Sequence, residues 1–242
     1  MTAPVIRPLT EVEEFEACVA LQASVWGFAD RDLVPRRMFS VAHKIGGQVL
    51  GAWSGATLAG FTLAIPGVRD GKIYWHSHML AVGQEFRNQG LGRRLKLFQR
   101  DEALARGIEL MEWTFDPLEI MNGYFNLGVL GAVVQRYLPN FYGITSSALQ
   151  AGLPTDRLSA EWWLRSPRVE AVAAGGATPE GAITATVKVP AEIHAWKNAG
   201  DPRALATQSL IRELLTTGFA AGKTAIGYRR DASGGCFLLG KL

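Results

Sequence analysis

The chain has 242 residues, 48% hydrophobic and 19% charged, with a formal net charge of +3. That is ordinary globular composition; it excludes wholesale disorder and gives no electrostatic case for nucleic-acid binding. No apolar run reaches the roughly 18 residues needed to cross a bilayer, so no membrane span is expected.

The stretch from Met1 to Cys18 holds Glu11, Glu13, Glu14 and Glu16 and lacks the apolar core of a signal peptide, so cytoplasmic residence is the expectation. Cys18 and Cys236 are too few and too distant for a disulfide framework or a zinc site. Of the four histidines only His76 and His78 are neighbours, and no metal is expected.

Val5 to Pro8 reads as a short strand. Thr10 to Trp26 reads as a helix, with Thr10 as cap, Glu13 three residues on, and Val12, Phe15 and Val19 as its apolar stripe. Pro35 opens a second helix to about His43. Gln48 to Ser54 and Thr57 to Ile65 form a hairpin around Gly55, and Lys72 to Val82 is a third strand. Gly90 to Arg106 is the clearest helix, with Leu91, Leu95, Phe98 and Leu104 at helical spacing and Gly107 as its stop. Ile108 to Phe115 follows as a strand, Met121 to Leu130 as a helix ending near Gly131, and Val133 to Tyr142 as a strand or a strand with a loop.

Beyond Gly152 the texture changes. Leu158 to Leu164 and the strictly alternating Ile183 to Val189 read as strands, separated by an Ala/Gly-rich linker from Ala171 to Gly181. Asp201-Pro202 starts a helix to about Phe219, and Ala225 to Arg229 and Cys236 to Leu239 close the chain as strands. The expected domains are residues 1–152, the main domain, and 153–242, an α/β extension or a small subdomain.

The informative segment is Arg87-Asn88-Gln89-Gly90-Leu91-Gly92-Arg93, where a loop after a strand opens a basic helix. First-turn amides of a helix lack intrahelical partners and sit at the positive end of its dipole, which suits a phosphate. Gly90 and Gly92 let phosphate oxygens reach the backbone, and Arg87 and Arg93 add charge-assisted donors. The segment is neither a Walker loop nor Gly-x-Gly-x-x-Gly. Arg93, Arg94, Lys96 and Arg100 form a basic helix face; Arg94 and Lys96 are expected to be solvated.

This segment resembles the Arg/Gln-x-x-Gly-x-Gly/Ala signature of the GNAT superfamily, and the order of elements from about residue 4 to 145 resembles that fold. His76-Ser-His78-Met79-Leu80 and Trp113-Thr-Phe-Asp116-Pro117-Leu118 resemble a bacterial subfamily of predicted acetyltransferases. The resemblance implies an α/β fold: a mixed, mostly antiparallel V-splayed sheet flanked by helices. It implies an acyl-CoA cosubstrate, acetyl-CoA or another, with its pyrophosphate at Arg87 to Arg93 and its pantetheine against the strand at Leu80, Ala81 and Val82. A backbone N–H of that strand would stabilise the oxyanion. Asn122 and Phe125 would lie against pantetheine, although Asn122 also suits a helix cap. Many members carry a tyrosine four residues before the glycine matching Gly131, to protonate the leaving thiolate; this chain has Leu127 there, with Tyr124, Tyr137 and Tyr142 as substitutes.

His76 and His78, two apart on one strand, share a face and read as general-base candidates or as satisfied structural histidines. In several superfamily members a carboxylate stands where His76 falls. Asp116 reads as a strand-ending turn or as a contact for the substrate ammonium. The activity implied is direct acyl transfer, acetyl or succinyl, to a small-molecule amine such as an amino acid. The alternative is a non-catalytic acyl-CoA-binding or regulatory protein. Any oligomer is expected to be a homodimer.

Overall fold

The computed structural model describes residues 3–27, 32–143, 150–178 and 181–242. These residues form two compact units, and the chain passes from one to the other between Glu112 and Trp113, inside a strand.

The first unit begins with β1 (Val5–Pro8), α1 (Val12–Trp26) and α2 (Arg36–Lys44). Strands β2 (Gln48–Ser54), β3 (Thr57–Arg69) and β4 (Lys72–Val82) follow, then α3 (Leu91–Ala105) and the start of β5 (Leu110–Phe115). The sheet order is β1-β2-β3-β4-β5. Every registered pairing is antiparallel except β4 with β5, where Trp75 stands beside Met111 and His76 beside Glu112.

Both faces of this sheet are covered. Phe15 and Cys18 of α1 and Phe39 of α2 pack on Phe61, Leu63 and Met79. On the other face Leu91 and Leu95 of α3 pack on Leu50, Ala52 and Ala59. Two covered faces explain why β2 and β3 read as nearly continuous apolar runs. Helix α1 starts one residue later than its expected cap: the Glu14 carboxylate accepts from the backbone N–H of Thr10 and of Glu11.

The second unit takes the end of β5, then α4 (Ile120–Gly123) running into a π-helical turn (Tyr124–Val129), β6 (Val133–Leu138) and β7 (Arg157–Trp163). It continues with α5 (Pro167–Ala173), β8 (Ile183–Pro190), α6 (Ile193–Ala199), α7 (Pro202–Ala220), β9 (Thr224–Asp231) and β10 (Gly234–Gly240). Its strand order is β5-β7-β6-β9-β10-β8, and its registered pairings are antiparallel. Asp201 caps α7 by accepting from Arg203 N–H. Helices α5 and α6 were not expected from sequence; α5 occupies part of the stretch read as a linker. The described part of the chain is therefore mixed α/β with a mostly antiparallel sheet flanked by helices.

Candidate active site

The loop between β4 and α3 carries the phosphate-binding pattern. Residues Gln84–Phe86 make one 3₁₀ turn, and Arg87 leaves it in extended conformation. Asn88 (φ 60°) and Gly90 (φ 75°) are left-handed, flanking Gln89, and the loop from Arg87 to Gly90 is exposed. Loops that mix left- and right-handed residues can aim successive backbone N–H groups at one anion. Gly90 is the N-cap of α3 and supplies no side chain, so no side chain caps the first-turn amides. A cavity of about 230 Å³ opens beside the loop, lined by Pro4, Phe86, Gln89, Leu91 and Arg94.

On β4 the antiparallel ladder fixes the direction of each backbone group. Gly83 N–H donates to Ala59 O, so the pairs two and four residues back, Phe61–Ala81 and Leu63–Met79, are the hydrogen-bonded ones. Leu80 and Val82 therefore turn their N–H and C=O away from β3. The Val82 carbonyl accepts from Arg87 Nε at 3.2 Å, which ties the loop arginine to the strand end.

The histidines do not follow simple alternation. Leu63 pairs with Met79 but Ala64 with Ser77, so His78 is the extra residue of a β-bulge. A bulge interrupts the period of two on which the expectation of a shared face rests. The two rings nevertheless lie 6.1 Å apart. His76 is half-buried, and burial, with smaller contributions from His78 and Lys96, pushes its pKa down to about 4. His78 keeps an exposed surface, but the protein atoms crowding it lower its pKa as well. Both imidazoles are thus held neutral at pH 7, the form that can accept a proton.

Beneath this strand lies a group that the sequence reading assigned to solvent. Lys96 is only 2% exposed. Its Nζ donates to Ser77 Oγ at 3.0 Å and to Gln99 Oε1 at 2.8 Å, and Ser77 Oγ donates to the same Gln99 oxygen at 2.9 Å. Burial pulls its pKa down to about 7. The correction has a signal in sequence: Leu91, Leu95, Gln99 and Ala103 recur every four residues, and Lys96 borders that stripe.

At the end of β5, Asp116 is buried. One of its carboxylate oxygens accepts from Leu118 N–H at 2.8 Å and the other from Lys197 Nζ at 3.2 Å; Lys197 also reaches Glu119 at 2.9 Å. This is the turn geometry, reinforced by an ion pair. Asn122 is exposed on α4, and Phe125 is half-buried in the π-helical turn. Asn126, next in the chain, is buried and accepts from Trp113 Nε1 at 3.1 Å. Leu127 is fully buried.

The substitute tyrosines have other engagements. Tyr137 donates to Asp156 at 2.6 Å, and its pKa is raised, first by burial and then by that carboxylate. Tyr142 shares a 2.8 Å hydrogen bond with Thr114, and Tyr124 lies beneath the Arg230 guanidinium, 4.5 Å from the ring centre. Trp162 is a packing residue: it stacks edge-on against Trp113 and donates to Leu130 O at 2.7 Å. Among the described residues no group of three or more His, Cys, Asp or Glu side chains is placed to hold a metal ion, and no helix is long and apolar enough to cross a membrane.

Residues 10–128 match the model of the acetyltransferase (GNAT) family. No curated protein sequence matches the chain. The ribosomal-protein-S18-alanine N-acetyltransferase of Escherichia coli superposes with a TM-score of 0.54 at 16% identity, over 67% of this chain and 95% of its own. The yncA protein of Salmonella typhimurium, solved with its cofactor acetyl-CoA, gives 0.54 at 17% identity over 68% and 96%. The GNAT-family acetyltransferase of Streptococcus pneumoniae gives 0.51 at 15% identity over 65% and 97%. At such identities these likenesses establish the fold. Residues 10–128, just under half of the chain, are thus similar to the acetyltransferase (GNAT) family, with the GNAT-like fold and the left-handed loop before α3 alongside that match.

Proposed function

We propose that the chain transfers an acyl group from acyl-CoA to a small amine bearing a carboxylate, such as an amino acid. The observation that carries this reading is the exposed loop from Arg87 to Gly90, with its two left-handed residues and an uncapped helix start. Arg87, Asn88, Gln89, Gly90, Leu91, Gly92 and Arg93 would hold the pyrophosphate of the cosubstrate. Leu80, Ala81 and Val82 would hold its pantetheine, and the acetyl-CoA in the Salmonella relative supports that choice of cosubstrate. Asn122 and Phe125 are further candidates for the pantetheine contact.

In the proposed reaction the amine nitrogen attacks the thioester carbonyl and a C–N bond forms. A backbone N–H of Leu80 or Val82, turned away from β3, stabilises the oxyanion. The C–S bond then breaks and the CoA thiolate leaves. The ammonium proton goes to His76 or His78, each neutral at pH 7. Asp116 is the weaker candidate, since both its oxygens are already engaged. The histidine-containing strand also supports placement in the bacterial subfamily of predicted acetyltransferases, acting in the cytoplasm, with a homodimer as the proposed assembly.

One observation favours a second reading, an acyl-CoA-binding protein without turnover: Leu127 is buried where many members carry the tyrosine acid. Release of free thiol, screened over acetyl-CoA and succinyl-CoA against amino acids, arylamines and polyamines, separates the two. Turnover with amino acids supports the first reading. Tight acyl-CoA binding without turnover on any amine supports the second. Good turnover on arylamines or polyamines with none on amino acids overturns the acceptor class. Gly92→Glu places bulk and negative charge at the pyrophosphate, and a folded variant with undiminished CoA affinity would overturn the site.

A further inference from the structure

Helix α3 turns five residues inward, and two of them, Lys96 and Gln99, are polar. A buried lysine costs stability unless its charge is compensated, and a methionine of similar length would pack in its place without that cost. Lys96 sits where its cation can act on the candidate proton acceptor. It donates to the hydroxyl of Ser77, the residue between His76 and His78, at the point where β4 bulges. Gln99 is turned by the same cation. Its Oε1 faces Lys96 and Ser77, and its Nε2 is buried with no hydrogen-bond partner among the described residues. Leaving an amide nitrogen unsatisfied costs free energy, so the arrangement is set by the lysine and not by the glutamine's own preference.

We infer that Lys96 is a positioning residue for the histidine pair: held by Ser77 and Gln99 beneath β4, it pins the bulge and adds its charge to the burial that keeps His76 neutral. The idea deepens the reading of His76 as proton acceptor and rests on it for its catalytic meaning. The groups that act on His76 are its strand neighbour His78 and Lys96 from α3. Across the parallel pair stands Glu112, buried and ion-paired with Arg69 of β3. In the pH range where a histidine ordinarily protonates, Lys96 carries its charge, since its own pKa lies near 7. A cation nearby disfavours a second positive charge on the imidazole. His76 therefore stays neutral while the acceptor amine is still protonated, and a proton taken from that amine is readily passed on to solvent.

The test is an NMR titration of the four histidines in the full chain, with and without Lys96→Met, alongside the pH dependence of turnover. In the variant the His76 midpoint is expected to rise by roughly half a pH unit, while His78, lowered by burial, stays in place. The acid limb of turnover should move by the same amount, while acyl-CoA affinity is unchanged. A purely structural lysine would lower the unfolding midpoint or the overall rate without moving the His76 titration. An unmoved His76 midpoint in a folded variant overturns the inference. If Lys96→Met does not fold, Lys96→Gln, which keeps a donor for Ser77 without the charge, takes its place, and an unmoved His76 midpoint there overturns the inference. A shifted His76 midpoint with unchanged turnover in His76→Ala would leave the Lys96 coupling standing and overturn the base assignment alone.

Discussion

The Nζ of Lys96 lies 3.0 Å from the hydroxyl oxygen of Ser77, which places a buried cation under the residue that separates His76 from His78. Helix α3 thus contributes to the site twice. Its first turn faces the proposed phosphate site, and its second turn bears on the strand that carries the proposed base.

The buried lysine makes stability depend on pH. The pKa of Lys96 falls from the ordinary 10.5 to about 7 on folding. Between these values the unfolded chain binds the proton and the folded chain does not, so this contribution to stability rises as pH increases from about 7 toward 10.5. Lys96→Met should be the more stable protein near neutral pH, and its advantage should shrink as the pH rises. Urea midpoints of both proteins at several pH values in this window check it; a constant difference would contradict the buried ammonium.

For the histidines, His76→Ala or His78→Ala is expected to lower turnover about 10²-fold with acyl-CoA affinity nearly intact. The acid limb belonging to His76 should lie near its depressed pKa of about 4, well below 6.5. Turnover at saturating amine should therefore hold level on descending through 6.5. An inflection at that pH, absent from His76→Ala, would place the His76 imidazole in a more solvated setting than the one described. Near-normal turnover in both single variants excludes both as the base.

The phosphate loop depends on left-handed backbone at Gly90, with φ at 75°. A side chain in that conformation costs roughly 1–2 kcal/mol, and β-branched residues tolerate it least. Gly90→Val should weaken CoA binding at least tenfold with the far-ultraviolet spectrum of the fold retained. Calorimetric titration with CoA gives the answer, and unchanged affinity would show that the loop amides do not hold the cosubstrate.

Lys197 is 4% exposed and faces the carboxylates of Asp116 and Glu119. Removing one partner of a buried ion pair strands the other charge, so Lys197→Met should destabilise by about 3–5 kcal/mol. Asp116→Asn keeps the shape of the turn at Leu118 and should lose less stability than Lys197→Met. If Asp116→Asn instead abolished turnover at unchanged thermal stability, Asp116 would be a catalytic group and not a strand terminator.

Much of the frame was legible in local sequence because local forces set it. Strand β4 runs from Lys72 to Val82 as expected, since branched and aromatic residues define it and the turn at Asp70 and Gly71 bounds it. The helix after the motif and the capped helix from Pro202 follow from apolar spacing and from Asp201. Short helices such as Pro167–Ala173 and Ile193–Ala199 escaped notice, because one or two turns cannot hold themselves and are fixed by what they pack against. The GNAT-like loop was visible as a pattern; that it stands exposed, with Asn88 and Gly90 left-handed, was decided by the fold. The bulge at His78, the boundary between Glu112 and Trp113 and the burial of Lys96 were also decided there. A bulge is a mismatch between two strands, a boundary is a difference in packing, and a lysine's solvation depends on what covers its helix face. None of these is a property of the residues next to it in the chain.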